Sequence, residues 1–171
     1  MRNELTLRTP KTSDLEELMV WENDLKKSNH TDFPMFYTRD QMITYLNSNH
    51  DLFLQNQQRW IIQLDDVLIG CIDLYDFDMV NSRAGIGIYI VPEYRGKGWA
   101  REALLAIKKT ASKKYFIHHL FADILSSNKS SIQLFEHAGF IQNGVKKAWI
   151  REQENFVDVF FYQCFLETDT D

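Results

Sequence analysis

One stretch constrains this chain more than any other. Ala84-Gly85-Ile86-Gly87-Ile88-Tyr89-Ile90-Val91 runs into Pro92-Glu93-Tyr94-Arg95-Gly96-Lys97-Gly98-Trp99. Ala100, Ala103, Leu104, Ile107 and Ala111 then follow at helical spacing. The order is strand, tight turn, long amphipathic helix. Four of the seven glycines, Gly85, Gly87, Gly96 and Gly98, fall between positions 85 and 98. A chain so sparing of glycine elsewhere needs bare backbone here. The first turn of a helix presents N–H groups without partners, and its dipole favours an anion. Gly96 and Gly98 let that backbone curl around an oxygen cluster, and Arg95 and Lys97 add positive charge. The prediction is a phosphate or pyrophosphate site at the helix N-terminus.

Two nucleotide-binding patterns fail by position. The phosphate loop GxxxxGK[ST] would need glycine at Val91 and serine or threonine at Gly98. The dinucleotide pattern GxGxxG meets Ile90 or Arg101 where its third glycine belongs. Net charge is −5 and the isoelectric point about 5.5, which argues against nucleic acid or an anionic membrane as partner and suits a cationic substrate. No apolar run approaches the roughly 20 residues of a membrane span. Neither an apolar leader nor a low-complexity linker is present, so a single domain over residues 1–171 in the cytoplasm is expected. Cys71 and Cys164 read as buried free thiols of a reducing compartment. His118-His119 is the one histidine pair; neighbours on a strand would point to opposite faces, and the pair reads as a polar loop end, so no metal site is expected.

The rest of the chain alternates in period. Leu5 and Leu7 mark an opening strand, and Ser13-Asp14-Leu15-Glu16 reads as a capping box before a helix. A second helix starts at Thr38–Gln41. Trp60–Leu64 and Val67–Phe77 form a hairpin about Asp65-Asp66. A strand at 120–125, a helix from Asn128 to Ala138 and a final hairpin through 145–150 and 156–165 complete the pattern. Helices alternate with strands in the middle and hairpins flank both ends, which implies an α/β or α+β fold with a mixed sheet and helices on its faces.

Arg95, Gly98 and Ala100 then match the loop (Arg/Gln)-x-x-Gly-x-(Gly/Ala), so this segment resembles the acetyl-CoA signature of the GCN5-related N-acetyltransferases (GNAT). Asn128-Lys129-Ser130-Ser131, followed by Gly139-Phe140, resembles the second motif of that family, 33 positions downstream of Arg95. Within the family the chain resembles most the branch of spermidine and ribosomal-protein N-acetyltransferases. The resemblance implies acetyl-CoA as donor and a mostly antiparallel sheet that splays between strands 84–91 and 120–125. It implies a pyrophosphate held by backbone amides of Gly96, Lys97, Gly98, Trp99, Ala100 and Arg101, with Arg95 and Lys97 as auxiliary charge. The pantetheine arm would lie beside Ile90 and Val91, one of whose N–H groups would polarise the acetyl carbonyl. Asn128 and Ser131 would contact the cofactor beyond the thioester.

The same resemblance raises a question about proton transfer. The family often carries a tyrosine near the cofactor sulfur, and the matching position here is Phe135. The thiolate then leaves unaided, or Tyr89 or Tyr75 donates the proton. An ammonium acceptor must first lose a proton, and Asp73, a carboxylate in mid-strand, is the candidate base. Glu22, Asp24 and Asp32 flank an irregular stretch that lines the acceptor cleft in this family. Trp21, Phe33, Phe36 and Tyr37 interleave with them and suit methylene stems. The expected acceptor is a polyamine or similar small cationic amine. The alternatives are a protein N-terminus, or an acetyl-CoA-binding module without transfer activity. The aromatic last strand, 156–165, either fills the core or pairs across a homodimer.

Overall fold

The computed structural model describes residues 4–23, 36–152 and 154–167. In chain order these form β1 (Leu5–Arg8), α1 (Leu15–Glu22), α2 (Arg39–Leu46), α3 (Leu52–Gln55), β2 (Gln58–Leu64), β3 (Val67–Asp78) and β4 (Arg83–Ile90). Then come α4 (Trp99–Tyr115), β5 (His119–Leu125), α5 (Lys129–His137), β6 (Ile141–Glu152) and β7 (Asn155–Phe165). The strands make one sheet in the order β1-β2-β3-β4-β5-β7-β6. Every neighbouring pair is antiparallel except β4 and β5. The mixed, mostly antiparallel sheet is the expected fold class.

Strand alternation sends apolar side chains to both faces. Ile62, Ile72 and Ile86 pack with Leu104 and Ile107 of α4 and Phe135 of α5 on one face. Ile61 and Cys71 pack with Leu18 and Trp21 of α1 and Met42 and Leu46 of α2 on the other. Helices therefore cover both faces, and Cys71 and Cys164 are buried free thiols as predicted. The short α3 escaped the sequence reading. It is a single turn started by Asp51, whose side chain accepts from the N–H groups of Phe53 and Leu54.

The start of α1 differs from its expected capping box. Ser13 does not cap the helix. Asp14 accepts the Lys11 N–H at 2.7 Å and takes both Arg8 guanidinium nitrogens at 2.7 and 2.8 Å, fastening β1 to α1. The Asp14 carboxylate is only 2% exposed. Burial pushes its pKa up, but Arg8 and the Lys11 amide more than compensate, so it lies below the usual carboxylate range. A depressed folded-state value contributes stability above the unfolded carboxylate pKa of about 3.9 and loses it as pH falls through the folded value. Asp14→Asn therefore costs about 1–3 kcal/mol at neutral pH. It also flattens the acid limb of stability, measured by urea unfolding at a series of pH values; an unchanged limb would exclude Asp14 as its source.

The histidine pair lies at a loop end, as expected, though not by the route of strand geometry. His118 precedes β5 rather than lying within it, and its Nδ1 comes within 3.4 Å of His119 Nδ1. The opposite-faces argument fails because only one of the two residues is in the strand. Among the described residues, no group of three or more His, Cys, Asp or Glu side chains is placed to hold a metal.

Candidate active site

β4 and β5 pair over only three rungs, Arg83↔His119, Ala84↔Leu120 and Gly85↔Phe121, and beyond Gly85 they diverge. This is the expected splay. Val91 N–H donates to Ile69 O at 2.9 Å. By antiparallel alternation, the N–H groups of Ile86, Ile88 and Ile90 then turn away from β3 toward the splay. Of the two amides expected to face a thioester, Val91 is thus committed to β3 and Ile90 is directed at the gap. Arg95 holds the end of the strand, its Nε donating to Ile90 O at 2.8 Å and its guanidinium lying over the Tyr89 ring.

The turn after β4 delivers α4 with its mouth at the open end of the splay. Gly96 and Gly98 have φ of 72° and 90°, values in the left-handed region that side chains rarely adopt. A Cβ on either would meet no atom within 4 Å. Gly98 occupies the cap position, and no side chain caps the helix. The amides of Trp99, Ala100 and Arg101 in the first turn are therefore available to an anion. Lys97 sits over the Tyr94 ring, 5.1 Å from its centroid, beside this mouth. Across the splay, Asn128 caps α5, its Oδ1 accepting from Ser131 N–H at 3.1 Å. Phe135 is buried against Phe140 and offers no proton.

The other candidates gather on the α1/α2 face. A cavity of about 450 Å³ there is lined by Glu22, Tyr45, His50, Arg59, Asp73 and Tyr75, among others. Asp73 stands opposite Gly87 of β4 on one side and Arg59 of β2 on the other. Arg59 grips Asp73 with both arms, Nε to Oδ1 and Nη2 to Oδ2, each at 2.7 Å. Its Nη1 donates to Glu22 Oε1, also at 2.7 Å. The three side chains are 17%, 28% and 14% exposed for Arg59, Asp73 and Glu22, so this is a largely dry two-carboxylate, one-guanidinium cluster of net charge −1. Arg59 pays for burial, but the two carboxylates raise its pKa well above normal, so it is permanently charged. Beside it the Tyr45 phenol is pushed up to about 12, chiefly by burial, and stays neutral.

Tyr89 is half-buried on the same face, 5.9 Å from the Trp21 ring. Tyr75 lies across Gly85, and Tyr37 also lines the cavity. Asp24, Asp32 and Phe33 lie outside the described residues. The structure thus joins Glu22, Asp73 and Tyr75 at one cavity and places the α4 mouth, Ile90 and Asn128 around the splay. Arg59, Tyr45 and His50 escaped the sequence reading. His50 Nε2 is buried without a hydrogen-bond partner and no sequence signal points to it.

A sequence profile of the acetyltransferase (GNAT) domain matches residues 4–141. The spermidine N(1)-acetyltransferase of Vibrio cholerae is 23% identical over 146 residues, covering 84% of this chain and 83% of that protein. The uncharacterized N-acetyltransferase p20 of Bacillus licheniformis is 24% identical over 92% of this chain and 90% of its own length. Among solved structures, the Vibrio cholerae spermidine N-acetyltransferase in complex with CoA and spermine superposes with a TM-score of 0.86 at 20% identity, covering 96% of both chains. The ribosomal L7/L12 α-N-protein acetyltransferase RimL in complex with coenzyme A gives 0.85 at 18% identity, again over 96% of both. The profile spans most of the chain, its signature loop forms the uncapped mouth of α4, and the splay lies beside it: the chain belongs to the GNAT family of N-acetyltransferases, enzymes that take their acetyl group from acetyl-CoA.

Proposed function

We propose that this enzyme acetylates a primary amine of small, cationic, polyamine-like character. The observation that carries this reading is the cavity on the Asp73 face, with two carboxylates against one guanidinium and tyrosine walls. The excess negative charge favours an ammonium, and Tyr37, Tyr45 and Tyr75 offer flat surfaces to methylene stems. The residues present fit acetyl-CoA. The uncapped first turn of α4 suits a pyrophosphate, and the unpaired N–H groups of β4 suit the amides of the pantetheine arm. Asn128 and Ser131 line the approach from α5. When bound, acetyl-CoA supplies an acetyl group activated as a thioester.

This chain's own residues then have three tasks. An alkyl ammonium must become neutral before it can attack, and Asp73 takes the proton, directly or through water. Each Asp73 oxygen already accepts from Arg59, yet each keeps a second lone pair for the acceptor. Ile90 N–H, aimed into the splay, is placed to stabilise charge on the acetyl oxygen. Tyr89 is the proton donor proposed for the departing sulfur in place of Phe135.

A thiol-release assay over polyamines, monoamines and short peptides tests the reading. The expected result is a kcat/KM for spermidine-like polyamines above that for any peptide N-terminus. Preferential acetylation of peptides would assign the ribosomal-protein type of reaction instead. Cofactor binding without turnover of any amine would leave only a binding module.

A further inference from the structure

Three consecutive strands share the rung Tyr75↔Gly85↔Phe121, and this is the last rung before β4 and β5 part. Side chains on one rung, two strands apart, stand roughly 10 Å from each other at the backbone. Yet the Tyr75 and Phe121 rings approach to 5.9 Å between centroids and meet edge to face at 82°. They can do so because Gly85 between them has no side chain. A Cβ there would clash with the Tyr75 ring, 2.3 Å from Cε2, 2.5 Å from Cζ and 2.7 Å from Cδ2. The ring continues toward the next glycine on the same face, where a Cβ on Gly87 would sit 3.8 Å from Tyr75 Cε1. Phe121 is itself stacked on Phe161 of β7, with centroids 5.9 Å apart and planes 29° apart, so the pair is braced from behind.

Tyr75 also lines the cavity that holds Asp73, and Asp73 is on the next rung of the same face, opposite Gly87. The bare strip over Gly87 thus lies between Asp73 and the rung where the splay begins, and the Tyr75 ring borders it. From this geometry we infer that Tyr75, seated on Gly85 against Phe121, is the residue that limits the width and depth of the acetyl acceptor. It admits an amine on an unbranched methylene and excludes one whose carbon beside the nitrogen carries a substituent. The inference rests on the proposed amine-acetylating function and adds to it the shape of the amine. Tyr75 acts here through its ring; a hydroxyl role in proton transfer would be a separate matter and is separable by experiment.

The test compares kcat/KM for a linear primary amine and its α-methyl-branched counterpart in the wild type, Tyr75→Phe and Tyr75→Ala. One methyl group in an apolar pocket changes kcat/KM by about 10–200-fold. The wild type is expected to favour the linear amine by at least about tenfold, Tyr75→Phe to keep that ratio, and Tyr75→Ala to erase it. An unchanged ratio in Tyr75→Ala overturns the inference, as does its loss in Tyr75→Phe, which retains the ring. A wild type that acetylates both amines equally well also overturns it and leaves the proposed function standing. A wild type that acetylates neither removes the proposed function itself, and this inference with it. A second measurement needs no acceptor and guards against loss of fold. Gly85→Ala should lower the melting temperature in the Tyr75 background and have little effect in the Tyr75→Ala background. Equal losses in both backgrounds would show that the ring is not seated on Gly85.

Discussion

Replacing Gly98 by valine is expected to weaken acetyl-CoA binding by about 100-fold or more, equivalent to about 2.7 kcal/mol, while the protein stays folded. Two effects combine. Gly98 has φ of 90°, and a β-branched residue there forces the turn toward another conformation and re-aims the first amides of α4. Its side chain would also project into the open space at the mouth of the helix, which no protein atom fills within 4 Å. That space is what the oxygens of a pyrophosphate require. Stability should change little by comparison, because the new side chain displaces no packed neighbour; backbone strain of this kind costs roughly 1–2 kcal/mol. Calorimetric titration with acetyl-CoA alongside thermal unfolding separates the two terms. Unchanged affinity would refute the pyrophosphate assignment, and a collapse of the fold would make Gly98 a structural residue instead.

The second large effect is expected at Arg59. Arg59→Met should destabilise the fold by about 3–5 kcal/mol, because it removes the guanidinium that Glu22 and Asp73 share in a largely dry site. The loss is not that of a surface ion pair, which would be worth about 0–1 kcal/mol. Adding Glu22→Gln and Asp73→Asn to Arg59→Met should restore part of the stability, since the penalty lies in burying two carboxylates without the guanidinium rather than in the missing contact. Denaturant unfolding of the single and combined variants measures this. A cost below about 1 kcal/mol for Arg59→Met would mean that water enters and screens the cluster. Activity should fall in every variant that lacks Asp73, whereas Arg59→Lys, which keeps the charge but not the fork, should retain the fold better than Arg59→Met. Because Arg59 also ties α1 to β2 and β3 through Glu22, it positions one wall of the cavity.

The features legible in the sequence were those encoded locally. The strand from Ala84, the glycine turn and the helix after Gly98 are written in consecutive residues, and so is the uncapped helix start at their junction. Backbone amides need no distant partner to be free; an uncapped helix start is enough. The hairpin about Asp65-Asp66 and the Thr38–Gln41 helix start were visible for the same reason. The insertion of β7 between β5 and β6 was not, because nothing local distinguishes a strand's inner neighbour from its outer one.

The cluster around Asp73 belongs to the tertiary structure alone, and the reason is one residue of register. Leu64↔Val67 and Gln63↔Leu68 continue the hairpin turn, and that register carried on would set Arg59 opposite Ile72. Between Ile62 and Gln63 the pairing shifts, Ile69 becomes an extra residue on β3, and Arg59 comes opposite Asp73. A slip of one residue moves a side chain to the other face of a sheet. The buried Ile69 and its carbonyl bond to Val91 hold that shift in place. Gly85 and Gly87 were conspicuous in the sequence without an explanation; the Tyr75 ring from the next strand supplies it for Gly85. The sequence by itself determined where a helix begins uncapped on glycines and which strand lies beside it, because those properties reside in contiguous backbone. Only the tertiary structure decided what faces the splay across the sheet, because that depends on a bulge, a strand order and a ring laid over a glycine.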